Sequence, residues 1–238
     1  MILYYKNLRK LFGAFSRLEG FTNWVIAKAE LKIDGDSNLK LNNDIHNENI
    51  NDDAKDRILK AEIKKQKKNY VLTYVADKSV ELQIHLMKIL NRDKFGFNSY
   101  VCNKEGKDKA YFEDYVKGCD IFFVGNMSFD KKDILDFVND VNDNNPIHRT
   151  QSAVVPGFLI LERLLKSGYL NDKEKLNTKI YDRKTEFCEI KYLLPVFEKE
   201  KIEIYKNNKN FEAWIRRFND KNEEIAFKVF VVSYVVLQ

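Results

Sequence analysis

The sequence predicts an α/β protein in which a mostly parallel sheet lies between two layers of helices. Three short apolar runs support this prediction, and each gives way abruptly to polar or glycine residues: Tyr70–Ala76, Ser99–Cys102 and Asp120–Val124. A strand, a polar strand end and a helix, repeated along the chain, are typical of a parallel α/β sheet. We therefore predict the order β-α-β-α-β-α from residue 69 onward.

The helices of this core are predicted from apolar residues at helical spacing. In the first helix, Val80, Ile84, Met87 and Leu90 share one face. The predicted helical segments are 79–90, 109–117, 130–141 and the segment between Ser152 and Gly168. Gly168 suits the position just after the end of a helix, because glycine adopts the left-handed conformation without a steric penalty.

The chain divides into three regions by sequence texture. Residues 1–68 form a helical N-terminal segment with an Asn- and Asp-rich linker at 34–56. Residues 69–170 form the α/β ligand-binding core. Residues 171–238 form a C-terminal α+β portion whose strands and helix complete the sheet.

Several segments outside the core are also assigned from their patterns. The charged segment 57–68 and the segment Phe211–Phe218 are predicted to be helical. The predicted C-terminal strands are Thr178–Tyr181, Glu186–Leu194 and Ile202–Tyr205. The run Ala226–Leu237 is apolar and β-branched, and it fits either a buried strand or a helix.

The composition indicates a globular cytoplasmic protein. The chain has 238 residues, 44% of them hydrophobic, and a net charge of +5. It lacks the roughly 18–20 consecutive apolar residues of a membrane helix and the residue order of a signal peptide, so no membrane partner is expected. Its three cysteines are odd in number and lie in or beside apolar runs, which favours reduced thiols over disulfides.

Polar residues at the strand ends predict a site for a nucleotide or sugar nucleotide. Ligands of open α/β sheets bind at the carboxyl ends of the strands, where helix N-termini attract anions. Gly125 permits close backbone approach, and Arg149 can hold a phosphate with two hydrogen bonds. The candidate binding residues are Asp77, Ser79, Asn103, Gly125, Asn126, Ser128 and Arg149. The alternative is that these residues are ordinary turn and cap residues.

The chemistry predicted at these strand ends is glycosyl or nucleotidyl transfer, or hydrolysis of a nucleotide glycosidic bond. His148 lies next to Arg149 and is the candidate acid or base. The pattern identifies no cofactor.

Two resemblances agree with a nucleotide ligand. The strand and helix order of residues 69–150, with the polar segment after Val124, resembles TIR-type and flavodoxin-like domains of the Rossmann-like class. Several of those domains bind or process nicotinamide nucleotides. The segment Gly125–Ser128, followed by Arg149–Ser152 and a helix, is similar to loops of some bacterial sialyltransferase-like enzymes.

A magnesium-dependent nuclease is the first alternative function. Asp182, Glu189 and Lys191 follow the pattern in which two carboxylates hold magnesium and a lysine positions the attacking water. This alternative implies Mg²⁺ as cofactor and nucleic acid as partner. A second alternative is a non-catalytic interaction module whose basic ends contact a partner.

Overall fold

The computed structural model describes residues 2–18, 21, 24–33, 59, 61–77, 80–88, 121–170, 185–207, 210–218 and 222–237. Nine described strands form one sheet in the order β2-β3-β4-β1-β6-β9-β8-β7-β5. The strands are β1 (Trp24–Ile33), β2 (Glu62–Lys67), β3 (Tyr70–Asp77), β4 (Val80–Lys88), β5 (Phe122–Met127), β6 (Thr185–Tyr192), β7 (Ile202–Lys206), β8 (Asn210–Phe218) and β9 (Glu224–Leu237). The α-helices among the described residues are α1 (Ile2–Ser16), α2 (Lys131–Asp140) and α3 (Gly157–Ser167).

All eight strand pairs are antiparallel, so the predicted parallel, Rossmann-like or flavodoxin-like sheet is wrong. The error begins at β4, which was predicted as a helix. Its buried residues Val80, Leu82 and Ile84 are two apart, and the strand pairs with β3 from Val80 opposite Asp77 to Met87 opposite Tyr70. The same sequence fits a helical and a strand period, and pairing with a neighbouring strand decides between them.

Two other segments predicted to be helical are also strands. β8 occupies residues 210–218, with Phe211, Ala213 and Ile215 buried on one face. β2 occupies part of the charged segment 57–68, and all of its residues are exposed at the edge of the sheet.

Other assignments agree with the structure. Asp130 caps α2 with a reciprocal hydrogen-bond pair to Asp133. Gly168 ends α3 with φ of 72°, in the left-handed region, as predicted. β6 and β7 are also strands, and β9 is the strand of the two alternatives left open for Ala226–Leu237. The predicted elements at 99–102, 109–117 and 178–181 and the linker at 34–56 lie outside the described residues.

The sheet consists of two halves with the same connectivity. In each half a helix precedes a long strand, which is β1 in the first half and β6 in the second. Three further strands then form a meander, and the last of them pairs with the long strand. The spatial orders are β2-β3-β4-β1 and β7-β8-β9-β6. β1 and β6 pair with each other, with Ala29 opposite Ile190, and so join the halves. β5 adds a further strand beside β7.

Helices α1 and α3 pack against each other in the core and run antiparallel. Phe12 stacks on Phe158 with ring centroids 4.2 Å apart, while Arg9 Nε lies 3.1 Å from Glu162 Oε2. Glu162 is only 1% exposed, and Lys166 also pairs with it. A buried carboxylate needs such cations, because an unpaired buried charge is strongly destabilising. None of the described helices is long and apolar enough to cross a membrane.

The Phe12→Ala substitution tests the importance of the helix contact. Phe12 is fully buried, so its truncation should lower the free energy of unfolding by about 3–5 kcal/mol through lost burial and an unfilled cavity. Phe218 is 59% exposed, and Phe218→Ala should change it by less than about 0.5 kcal/mol. Urea denaturation of both variants measures the difference. Equal effects would show that the α1–α3 contact does not organise the core.

Candidate active site

A cavity of about 580 Å³ lies between the helices and the central strands. Its walls come from the end of α1, the start of β1, the ends of β4 and β6, and the segment that leads into α3. Most described lining side chains are apolar, among them Phe15, Trp24, Ile84, Leu86, Phe158 and Leu194. Polar lining residues include Asp143, Asn144, Asn145 and His148, which lie on one segment. The cavity therefore has an apolar body, and this segment forms a polar wall.

His148 is the buried ionisable residue of this polar wall. It ends a 3-10 turn, Pro146–His148, and is 7% exposed. Its Nδ1 lies 2.7 Å from the carbonyl oxygen of Val154, so Nδ1 carries the proton and donates it. Its Nε2 lies 3.5 Å from Asp143 Oδ2. In the neutral ring, the basic nitrogen therefore faces the carboxylate.

Burial keeps His148 neutral. Desolvation lowers the pKa of His148 and outweighs the opposing effect of Asp143, while Arg149 lowers it further. Burial disfavours the charged imidazolium because little water remains to solvate it. At neutral pH the ring is thus a base with its Nε2 lone pair available.

Asn145 fixes the segment that carries both residues. Its backbone N–H donates to Asp143 Oδ1 over 2.9 Å, and its side-chain Nδ2 donates to the carbonyl of Trp24 over 3.0 Å. Because Trp24 begins β1, this second bond ties the segment to the sheet. Asp143 and His148 are thus held by a local turn and by the central strands.

The N-terminal end of α3 forms another polar part of the cavity. Pro156, which precedes the helix, makes no side-chain capping hydrogen bond, and its carbonyl accepts from the N–H groups of Leu159 and Ile160. Within the described chain, no hydrogen bond uses the N–H of Gly157 or Phe158, and both residues line the cavity. First-turn N–H groups point out of a helix end and favour negative charge. This end can therefore bind a carbonyl oxygen or an oxyanion.

The described residues of the predicted nucleotide site lie far apart in the sheet. Asp77 ends β3 near one edge of the sheet, whereas Gly125 and Asn126 lie in β5 at the other edge. Six strands separate β3 from β5, and Gly125 and Asn126 are inside a strand instead of following one. Ser128 is exposed after β5, and Ser79 and Asn103 lie outside the described residues. Asp77 and the Gly125–Asn126 pair therefore share no edge of the sheet. The predicted nucleotide ligand and the transferase or glycohydrolase reaction are wrong.

Arg149 is exposed and makes structural hydrogen bonds. Its guanidinium donates to Asn139 Oδ1 over 3.1 Å and to the backbone carbonyl of Asp143 over 3.0 Å. It thus connects α2 to the segment that carries Asp143.

The nuclease alternative is also wrong. Lys28 Nζ lies 2.5 Å from Glu189 Oε2 and Lys191 Nζ lies 2.9 Å from Glu189 Oε1. Partial burial opposes ionisation of Glu189, but the two lysines outweigh it and lower its pKa. Asp182 lies outside the described residues, and among those described no three His, Cys, Asp or Glu residues are grouped to hold a metal ion. Glu189 is neutralised by lysines on the sheet surface.

The sequence analysis named His148 as a candidate acid or base, and it named neither Asp143 nor the α3 N-terminus, which line the same cavity. The available signal was an acidic residue five positions before the histidine, with an Asn-Pro turn between them. Asn before Pro favours a turn, and a turn brings its two flanking side chains together. Tyr192, which contacts the α3 N-terminus, is too distant in sequence for such a signal.

No protein-family model and no curated protein matches the sequence significantly. Several solved structures are similar over most of their length. HtdX from Mycobacterium tuberculosis is 9% identical with a TM-score of 0.47, covering 95% of this chain and 86% of that chain. An acyl-ACP thioesterase from Bacteroides thetaiotaomicron is 11% identical with a TM-score of 0.44, covering 99% and 89%. The acyl-CoA thioesterase II TesB2 from Mycobacterium marinum is 8% identical with a TM-score of 0.40, covering 98% and 87%.

Proposed function

We propose that the protein is an acid–base enzyme that adds water to the double bond of an α,β-unsaturated acyl compound, or removes it in the reverse direction. The observation that carries this proposal is the His148–Asp143 pair on the polar wall of an otherwise apolar cavity. The cavity binds the acyl chain, the α3 N-terminus binds the carbonyl oxygen, and the pair handles the protons.

The apolar body of the cavity is an argument for an acyl chain as the ligand. Its volume of about 580 Å³ lies within the usual range for small-molecule sites, and Phe15, Ile84 and Leu86 are among its apolar walls. Burying a methylene group in such surroundings contributes about 0.8 kcal/mol. A flexible hydrocarbon chain gains free energy here at each carbon.

The paired acceptors support activation of water. His148 Nε2 and Asp143 Oδ2 are 3.5 Å apart, so one water molecule at about 2.8 Å can donate to both atoms. As the water oxygen bonds to the β-carbon, its proton passes to the pair and the π electrons move to the carbonyl oxygen. The enolate forms opposite the α3 N–H groups, and the pair then returns a proton to the α-carbon.

Covalent catalysis has less support in this cavity. Among the described lining residues, Ser16 is the one serine, threonine or cysteine, and its hydroxyl donates to the carbonyl of Phe12. Cys188 is buried outside the lining, and burial raises the pKa of its thiol to about 12. A protonated thiol is a poor nucleophile.

Hydrolysis of an acyl thioester is the second candidate. The N–H groups of Gly157 and Phe158 favour it, because they would also stabilise the oxyanion formed when water attacks the carbonyl carbon. The two reactions differ in their demand for acid: a thiolate leaves without one, whereas hydration needs a proton delivered to carbon. Two adjacent proton-transfer groups therefore favour hydration.

We place this reaction in the cytoplasm, as predicted from the sequence. Cys188, a free and buried thiol, is compatible with a reducing compartment.

Filling the cavity with a larger side chain should weaken ligand binding. Ala27 lines the cavity, and Ala27→Phe places a ring in the space for the acyl chain. We expect at least about a tenfold loss of affinity for hexanoyl-coenzyme A by calorimetry, a cost of about 1.4 kcal/mol. Ala76→Phe, at an exposed position of β3 outside the lining, is the matched control and should bind like wild type. Undiminished binding by Ala27→Phe would exclude this cavity as the site.

Removing either proton-transfer group should abolish turnover. We expect Asp143→Asn and His148→Gln each to lower kcat for trans-2-hexenoyl-coenzyme A by about 10²–10⁴-fold. Loss of the conjugated-enoyl absorbance reports hydration, and release of free thiol reports hydrolysis. Asp136→Asn, on the exposed side of α2, is the control. Full activity in both site variants would refute the acid–base proposal, and thiol release without hydration would select the second candidate.

The protein should become less stable as the pH is lowered, because of His148. The pKa of His148 is lower in the folded protein than its value of about 6.5 in the unfolded chain. Below about pH 6.5 the unfolded chain therefore binds a proton at His148 more readily than the folded protein does. The contribution of His148 is therefore complete above about pH 6.5 and is lost as pH falls towards its folded pKa. Urea denaturation between pH 7.5 and 5 should show a smaller fall in His148→Gln. Some fall should remain in that variant, because burial also lowers the pKa of His85. If the free energy of unfolding falls equally in both proteins, His148 does not contribute to the pH dependence.

A further inference from the structure

Tyr192 connects the centre of the sheet to the first turn of α3. It is the last residue of β6, and its backbone pairs with Phe230 of β9. Its hydroxyl donates to the carbonyl of Gly157 over 2.5 Å. Burial raises the pKa of Tyr192 well above its usual value, so the hydroxyl keeps its proton and remains a donor.

The bond acts on the peptide group of Phe158, a cavity-lining residue whose N–H has no hydrogen-bond partner within the described part of the chain. The carbonyl of Gly157 and the N–H of Phe158 belong to one planar peptide unit, and in a trans peptide they point in opposite directions. A donor fixed on the carbonyl therefore fixes the direction of the N–H. Because Tyr192 extends from a central strand, it holds that direction relative to the sheet.

Close packing against Gly157 reinforces this arrangement. A β-carbon at position 157 would lie 3.1 Å from Tyr192 Cζ and 3.3 Å from its hydroxyl oxygen. Those distances are too short for an undisturbed ring, so an alanine here would displace Tyr192 or the helix end. Glycine at 157 permits the ring to reach the peptide.

We propose that Tyr192 is a positioning residue whose hydroxyl orients the peptide between Gly157 and Phe158, so that the Phe158 N–H meets the carbonyl oxygen of the bound acyl group. This inference rests on the proposed function, because it concerns the same cavity. In this role Tyr192 determines the strength of the hydrogen bond from the Phe158 N–H to the acyl carbonyl. It does not take part in the proton transfers assigned to His148 and Asp143.

A pair of ligands that differ by one carbonyl tests this role. Hexanoyl-coenzyme A carries the carbonyl, and the thioether S-hexyl-coenzyme A lacks it. In wild type the carbonyl should improve affinity by about fivefold, as expected for one hydrogen bond. In Tyr192→Phe that ratio should fall below about twofold, while the affinity for the thioether stays within about twofold of wild type.

An infrared measurement gives a second readout. With a ¹³C-labelled carbonyl in hexanoyl-coenzyme A, the carbonyl stretch should lie at a lower frequency when bound to wild type than when bound to Tyr192→Phe. Tyr205→Phe is the matched control, because Tyr205 donates to Glu203 and does not line the cavity. It should match wild type in both measurements.

The outcomes separate this inference from the proposed function. If wild type binds neither ligand, the cavity proposal and the role of Tyr192 both fail. If wild type binds both ligands but Tyr192→Phe keeps the affinity ratio and the carbonyl frequency, or loses both ligands equally, the positioning role is refuted and the cavity proposal stands. If Tyr192→Phe does not fold, Gly157→Ala decides by the same measurements, with the same expected loss of the ratio.

Discussion

The antiparallel pairing of β1 with β6 is the constraint on which the site depends. Each strand follows a helix, so joining them brings the end of α1 and the beginning of α3 to the same part of the sheet. The helices then lie antiparallel, with Phe12 on Phe158 and Arg9 against the buried Glu162. The cavity forms where α1 has ended and α3 begins, so an apolar space and a helix N-terminus coincide.

That coincidence explains the electrostatics of the polar wall. Burial that would favour an apolar ligand also removes water from His148 and leaves it neutral, with its proton fixed on Nδ1 by Val154. The N–H groups at the α3 end gain strength in the same surroundings, because a low local dielectric strengthens an electrostatic contact. Burial at this wall therefore affects both the protonation of His148 and the electrostatics of the α3 N-terminus.

Local signals in the sequence were sufficient where one element decides its own structure. The helical segment 130–141 and the helix end at Gly168 were predicted because helical periodicity and glycine conformation are local signals. β4 and β8 were predicted wrongly because alternating apolar residues fit two periods, and only pairing with distant strands resolves them. His148 is a candidate from the sequence alone, whereas its contacts with Asp143 and Val154 require the fold.

The carboxylates of this protein differ in whether they form ion pairs with lysine or arginine. This difference distinguishes Asp143 in the proposed site from Glu189, which the sequence pattern favoured. Glu162 is paired with Arg9 and Lys166, and Glu189 with Lys28 and Lys191, so their charges are committed to holding helices or strands together. Within the described chain, the side chain of Asp143 has no lysine or arginine partner and faces the neutral His148. The charge of Asp143 is therefore not committed to an ion pair with a described lysine or arginine. A motif of acidic and basic residues therefore says little about catalysis until their ion pairs are known.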